Sequence, residues 1–469
     1  MIELDSFING SVTPQLNEVI SGLVHHILAD SEGLDNELIA SHPFSTETIL
    51  LLAQKASAPF VLLQVKPGKL TIDIEKLKTM IACFTKSKTV MAYAHYIENR
   101  NGEQFPHPVI NYQTGSVRDD FDFGPAILIK TSVLKSFLEE QSENYLHAGW
   151  YSLRLFLSRI ELPLLFDDMV FGFEEQDLRM SGQKQFDYVD PRNRQRQIEM
   201  EQAVTSHLEA LNVLVRPPFK TVNLNQANFK FEASVIIPVL NRQSTITDAI
   251  NSILIQQTNF AFNVIVIDNH STDQTGAIVN SFANKGVIRH VPLRNDLGIG
   301  GCWNEGVNHP ECGRFAIQLD SDDLYLNEHT LQIIVDKFRE EQCAMVIGSY
   351  QMVNFDLEEI PPGVIDHREW TNHNGANNAL RINGLGAPRA FFTPLIRQIG
   401  FPNVSYGEDY AVALAISRTY KVGRIYNPVY LCRRWEHNTD SNLSIEKMNK
   451  HNSYKDGLRS EEMKERVKG

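Results

Sequence analysis

Two short β-branched runs flanking one helix-period segment require a parallel sheet in the second half of this chain. Ala233-Ser234-Val235-Ile236-Ile237-Pro238-Val239-Leu240-Asn241-Arg242 reads as a strand stopped by proline and turn residues. Asn263-Val264-Ile265-Val266-Ile267 repeats the pattern before Asp268-Asn269-His270-Ser271-Thr272-Asp273. Between them, Ser244 to Gln256 places Ile246, Ala249, Ile250, Ile253 and Leu254 on one helical face. This is a βαβ unit. A further apolar run, Phe315-Ala316-Ile317-Gln318-Leu319, ends in Asp320-Ser321-Asp322-Asp323. Ligands of open parallel sheets settle outside the strand C-terminal ends, which here carry Asn241, Asp268 and Asp320 in succession.

Carboxylates as close as Asp320, Asp322 and Asp323 repel one another unless a hard cation such as Mg²⁺ or Mn²⁺ neutralises them. The competing reading is an acidic turn in which Asp and Ser cap local backbone groups.

In order and spacing, Ser234 to Arg242 (S-V-I-I-P-V-L-N-R), Val266 to Asp273 (V-I-D-N-H-S-T-D), Arg294 to Gly306 (R-N-D-L-G-I-G-G-C-W-N-E-G), Leu319 to Asp323 (L-D-S-D-D) and Tyr406 to Tyr410 (Y-G-E-D-Y) resemble the family 2 glycosyltransferases. The resemblance covers residues about 231 to 440. It implies a GT-A fold, an α/β Rossmann-like mixed sheet with flanking helices that binds nucleotide-diphospho-sugars.

By this resemblance Asp268 accepts a hydrogen bond from the nucleotide base, and Pro238, Asn241, Arg294, Asn295, Gly298, Asp320 and Ser321 line the donor site. Gly298, Gly300 and Gly301 allow backbone to approach a ligand closely. Asp322 and Asp320 take the metal, Asp322 being the expected direct ligand and Asp323 sharing the candidacy. Asp409 is the implied general base, and Glu408 a neighbour that binds acceptor hydroxyls. Asp409 and Glu408 also suit plain capping, because acidic residues are stabilised in a helix's first turn. His437, in Leu431-Cys432-Arg433-Arg434-Trp435-Glu436-His437, resembles a third metal ligand. Leu431 stands where processive synthases carry glutamine. Arg433 and Arg434 suit either diphosphate oxygens or nearby acids.

The first half echoes the second. Phe60 to Gln64, the helical segment to Phe84 and Thr89 to Tyr96 parallel Phe315 to Leu319, the segment to Phe338 and Ala344 to Tyr350. Gly149-Trp150 stands where the second copy has Glu408-Asp409, and Val65-Lys66-Pro67-Gly68, which cannot bind a cation, replaces the acidic cluster. Residues 1–190 are therefore expected to form a degenerate GT-A-like α/β pseudo-domain that is structural, positions an acceptor or mediates assembly. No strand like Ser234 to Pro238 is evident before Phe60. Residues 191–230 read as a linker with a solvated helix to Leu211, residues 231–440 as the catalytic domain, and residues 441–469 as a C-terminal solvated helical tail.

A length of 469 residues exceeds one ordinary core, and a hydrophobic fraction of 42% supports packed domains. The net charge of −13 argues against nucleic acid or an anionic membrane as principal partner. Five scattered cysteines without C-x-x-C spacing suit a reducing compartment. No signal peptide or bilayer-spanning stretch is evident, so the expected location is cytoplasmic, with peripheral contact at the inner face of a membrane if the acceptor is lipid-linked.

The family resemblance implies a metal-dependent, inverting transferase of a UDP-linked sugar onto a glycan or glycolipid hydroxyl, with an oligomer through the N-terminal half as a further expectation. A sugar-nucleotide pyrophosphorylase is disfavoured because no Gly-rich, Arg-bearing loop follows the first strand. A non-catalytic sugar- or nucleotide-binding scaffold is the alternative of another class.

Overall fold

The computed structural model describes residues 4–8, 23–27, 44–66, 68–175, 193–434 and 443–468. Pro67, the Asp190-Pro191-Arg192 opening of the connecting stretch, and Trp435 to Asp440 with His437 lie outside the described residues. The chain divides into two compact units. One comprises Met1–Lys184, Arg192–Leu214 and Ser444–Gly469, the other Gln185–Pro191 and Val215–Leu443.

The first unit runs β1 (Leu4–Ile8), β2 (Leu23–Ile27), α1 (Thr46–Lys55), β3 (Phe60–Gln64), β4 (Gly68–Ile72), α2 (Ile74–Lys86), β5 (Met91–Arg100), β6 (Glu103–His107), β7 (Ala126–Lys130), α3 (Thr131–Glu140), α4 (Gly149–Ile160), β8 (Leu164–Glu175) and α5 (Arg194–Ala210). The second runs β9 (Ala233–Val239), α6 (Ile246–Leu254), β10 (Phe262–Asp268), α7 (Thr275–Asn280), β11 (Val287–His290), α8 (Ile299–Asn308), β12 (Phe315–Gln318), β13 (Leu324–Tyr325), α9 (Thr330–Glu341), β14 (Met345–Val353), β15 (Glu359–Ile365), α10 (Gly375–Asn378), β16 (Arg389–Phe392), α11 (Thr393–Ile399), α12 (Glu408–Thr419) and β17 (Val422–Arg433). The last helix, α13 (Ile445–Lys468), returns to the first unit.

The second sheet has the order β11-β10-β9-β12-β16-β14-β17-β13, with β15 on β14. Its first four strands are parallel, and β16 enters antiparallel between β12 and β14. Val235, Ile236 and Ile237 of β9 are fully buried because helices cover both faces of a parallel sheet, which is why the strand reads as a continuous apolar run. Helix α6 buries Ile246, Ala249, Ile250 and Ile253.

The first sheet has the order β2-β1-β3-β7-β5-β8-β4, with β6 on β5. Strand for strand this is the second sheet without β11, and every pair keeps its polarity. Local details agree. The Tyr151 hydroxyl donates to Val117 O, and the Tyr410 hydroxyl to Ala379 O. Gly124 (φ 76°) and Gly386 (φ 107°) lie so close to a neighbouring strand that a Cβ would come within 2.8 Å of Ala94 O and 2.6 Å of Gly348 O respectively. The degenerate repeat is thus a true copy of the fold.

Three expectations are corrected. Parallel strands β1 and β2 do precede Phe60, pairing as Leu4↔Leu23 and Leu4↔Phe60. They escape a sequence reading because polar residues interrupt both, as Asp5 and Ser6 do in β1. Helix α5 is not a solvated linker element. It buries Glu199, Met200, Val204, His207 and Leu208, and Glu199 Oε2 accepts the backbone N–H groups of His147 (2.6 Å) and Ala148 (3.2 Å) ahead of α4. Helix α13 is not a solvated tail either. Asp456 and Arg459 are fully buried, and Asp456 accepts from Ser116 Oγ (2.9 Å), Arg118 Nε (3.2 Å) and Arg459 Nη1 (2.9 Å).

Candidate active site

The parallel strand order gathers Asn241, Asp268 and Asp320 at one edge of the second sheet. The turns beyond β9 and β10 are sharp, since Asn241 (φ 53°) and His270 (φ 62°) adopt the left-handed conformation that few side chains tolerate. They lock together through Asn241 Oδ1, which accepts Thr272 N–H (2.8 Å), and through Asn241 N–H, which donates to Ser271 Oγ (3.0 Å).

Asp320 follows β12. Its Oδ1 accepts from Gln318 Nε2 (2.8 Å), and its backbone N–H donates to the Tyr430 hydroxyl (3.1 Å). Gln318 Oε1 in turn accepts the backbone N–H of Arg389 (3.1 Å), the first residue of β16. Arg389 Nη1 lies 2.9 Å from Asp409 Oδ2. One continuous chain of contacts therefore joins the acidic turn to the carboxylate pair opening α12. Glu408, 8% exposed, leaves Oε2 without a hydrogen-bond partner.

Electrostatics follow from this crowding. Burial, reinforced by Asp409, pushes the Glu408 carboxyl up to about 8. Burial also raises Asp320, with Asp322 and Asp409 adding to the effect against Arg389 and Gln318. Asp323 stands well above the carboxylate range through burial beside Asp320 and Asp322. Burial works against the Arg389 charge, but Asp409, Asp320 and Glu408 together hold the guanidinium above its ordinary value.

Among the described residues no group of three or more His, Cys, Asp or Glu side chains forms a metal cage. The local chemistry nevertheless fits a hard divalent cation, because Asp320 and Asp322 offer oxygen donors whose mutual repulsion a cation relieves. Arg433 braces the turn without entering such a shell. Its backbone N–H donates to Asp323 Oδ1 (2.8 Å), its Nε to Asp322 O, and its Nη1 pairs with Asp248 Oδ2 (3.0 Å).

The structure holds some predicted residues in other contacts. Asp268 is fully buried with both oxygens engaged: Arg289 Nε donates to Oδ2 (2.8 Å) and Ser271 N–H to Oδ1 (2.9 Å). Arg294 is exposed and paired with Asp296 at 2.7 Å, while Asn295 is exposed and Pro238 half-buried. Ser321 is buried in the acidic turn. The glycine run lets protein approach protein closely. A Cβ on Gly300 would meet Pro402 O at 1.9 Å and Glu408 Cβ at 2.9 Å, and Gly298 N–H donates to Asn403 Oδ1 (2.8 Å). Through this close packing α8 seats the start of α12. Arg389, Gln318 and Tyr430 were missed in the sequence. Their only signals were a glutamine inside an apolar strand and a lone arginine before Ala390-Phe391-Phe392.

In the first unit a paired lysine stands by the corresponding turn. Lys66 Nζ lies 2.7 Å from Asp122 Oδ1 and donates to the Tyr96 hydroxyl (3.2 Å), and His107 bridges Asp122 (3.3 Å) and Glu98 (3.1 Å).

Fold and site together define a GT-A-type unit, with polar residues gathered at its parallel strand ends and a carboxylate pair joined through Arg389 to an acidic turn. Residues 234–397 match the sequence model of Glycosyl transferase family 2, so this unit carries a family 2 glycosyltransferase domain. The chain is 26% identical over 208 residues to the UDP-Glc:alpha-D-GlcNAc-diphosphoundecaprenol beta-1,3-glucosyltransferase WfgD of Escherichia coli, covering 43% of this chain and 76% of that protein. It is 28% identical over 196 residues to an uncharacterized glycosyltransferase of Rickettsia felis, covering 41% of this chain but only 31% of that longer relative. Residues 1–349 of S. aureus TarS in complex with UDP-GlcNAc align at 22% identity and a TM-score of 0.39, covering 50% of this chain and 71% of that one.

Proposed function

We propose that the second unit transfers a sugar, with inversion, from a UDP-linked donor to a hydroxyl of a glycan or lipid-linked glycan, in polysaccharide or glycoconjugate synthesis. The observation that carries this reading is the Asp320–Gln318–Arg389–Asp409 chain of contacts, which links the acidic turn to the carboxylate that would act as base. The UDP assignment is supported by the name of the Escherichia coli relative.

Asp409 takes the proton from the acceptor hydroxyl as its oxygen attacks the anomeric carbon. The bond to the diphosphate breaks on the opposite face, and the nucleoside diphosphate leaves with that electron pair. Glu408 carries its proton at neutral pH and donates a hydrogen bond to an acceptor oxygen. Asp320 and Asp322 would hold Mn²⁺ or Mg²⁺, which when bound neutralises charge on the leaving diphosphate. A lipid-linked acceptor would be met at the membrane surface; no helix among the described residues is long and apolar enough to cross a bilayer.

The test is nucleoside-diphosphate release across a panel of sugar nucleotides, with and without Mn²⁺. Asp409→Asn should lower turnover by about 10²–10⁴-fold while UDP still binds, and Asp322→Ala should abolish the metal-dependent turnover. Neither turnover nor binding with any donor would refute the transferase and favour a binding scaffold.

A further inference from the structure

The repeat exposes a difference between the units away from the acidic turn. In the first unit α13 covers the loop before β7. Asn449 Nδ2 donates to Pro108 O (2.6 Å), Gln113 Nε2 to Ser453 O (2.9 Å), and Gly115 N–H to Ser460 Oγ (2.8 Å). The paired Tyr151–Val117 and Tyr410–Ala379 bonds set Pro108, Gln113 and Gly115 in correspondence with Trp370, Gly375 and Asn377 of the second unit. There, Asn377 bonds the backbone of Val215 through Nδ2 (2.8 Å) and Oδ1 (3.1 Å), so the segment from Val215 to Thr221 takes part of the helix's seat. The remainder is an open cavity of about 370 Å³, walled by that segment, the Trp370 loop and the end of α12.

Size and lining decide what could enter. A small ligand fits, since such pockets begin at about 300 Å³. The walls combine the half-buried rings of Phe219 and Tyr420 with Thr371, Asn372 and Lys421, beside the buried Trp370, and no carboxylate lines them. Lys421 is already paired with Glu341 (3.0 Å), which leaves a neutral, amphipathic lining. Apolar ring faces beside amide and hydroxyl groups match a saccharide, whose C–H faces and hydroxyls need both kinds of partner. The place is remote from the acidic turn. Strand β17 begins at the cavity with Val422 and reaches the turn at Leu431, opposite Leu324, roughly 30 Å of strand at about 3.3 Å per residue.

We propose that this cavity binds a saccharide unit of the acceptor glycan at a distance from the transfer site, which rests on the transferase reading. A chain already extended would be retained there while its growing end occupies the crevice.

Calorimetric titration of the full chain with cellotetraose, chitotetraose and maltotetraose tests this. At least one should bind saturably, with affinity lowered about tenfold or more, a loss of at least 1.4 kcal/mol, by Thr221→Trp, which fills the cavity, and by Asn372→Ala, which removes an exposed amide. UDP binding, measured separately, should be unchanged in both variants. Binding of no tetrasaccharide, or binding indifferent to both substitutions, overturns the proposal. Failure of the wild type to bind UDP refutes the transferase reading instead, and leaves the saccharide titration to be judged on its own result.

Discussion

Glu408→Gln should stabilise the protein, and increasingly so as pH rises. Burial and Asp409 hold the folded Glu408 carboxyl at about 8 against an ordinary 4.5, so the folded state binds a proton that the unfolded chain releases between those values. The stability associated with that proton is fully present below about pH 4.5 and is lost as pH climbs through 8, at a slope of about 1.4 kcal/mol per pH unit. Across the whole interval the loss approaches about 5 kcal/mol, a large fraction of a typical domain's stability. Glutamine keeps the shape and the neutral charge, so the variant should match wild type near pH 4.5 and gain most by pH 8. Urea unfolding of both proteins in chelator at pH 5, 6.5 and 8 gives the difference directly. A constant difference across pH, or a variant less stable at pH 8, would refute the claim that Glu408 is held protonated in the folded site.

Other expectations concern the first unit. Asp456→Ala removes a fully buried carboxylate that pairs with both Arg118 and Arg459, Arg118 keeping Asp120 (2.7 Å), and should cost about 3–5 kcal/mol, measured by denaturant unfolding; a loss under 1 kcal/mol would mean that α13 is only loosely seated. Gly115→Ala drives a Cβ to 2.3 Å from Ser460 N, so it should release α13 and raise hydrogen exchange along that helix. Burial and the neighbouring Arg159 push His207 down to about 3 from 6.5, so its contribution is intact above pH 6.5 and lost as pH falls toward 3. The loss is about 2 kcal/mol by pH 5, and a His207→Leu variant should show a shallower acid dependence of its unfolding midpoint.

Strands β9, β10 and β12 were legible because burial on both sheet faces forces uninterrupted apolar runs. The internal copy was legible through its strand and helix spacing, but β1 and β2 were not, since Leu4 to Ile8 mixes Asp5 and Ser6 into a five-residue strand. Helices α5 and α13 were misread for one physical reason. Hydrophobic periodicity detects apolar burial, whereas Glu199, Asp456 and Arg459 are buried as hydrogen-bonded or paired polar groups. In the site, the motif spacing pointed to the acidic turn and the Glu408–Asp409 pair. It could not reveal that Asp268 would be occupied by Arg289, or that Arg389 would stand between the two carboxylate groups. Those facts depend on cross-strand register, such as Ile317↔Ala390, which no local pattern encodes.

Because α13 belongs to the first unit, the second is an insertion within it, and the first unit's assembly is governed by the order of synthesis. Gln113 and its partner Ser453 are 340 residues apart in the chain. At about 5–20 residues per second, a ribosome takes roughly 17–70 s to make the intervening segment. Throughout that interval Arg118 lacks Asp456, and the loop from Pro108 to Arg118 lacks its cover. The inserted unit, whose described strands and helices all lie between Ala233 and Arg433, can fold during that wait. The nascent protein would thus acquire its acidic turn and Glu408–Asp409 pair before the first unit closes, and chains cut short after Arg433 would carry them beside an unfinished first unit.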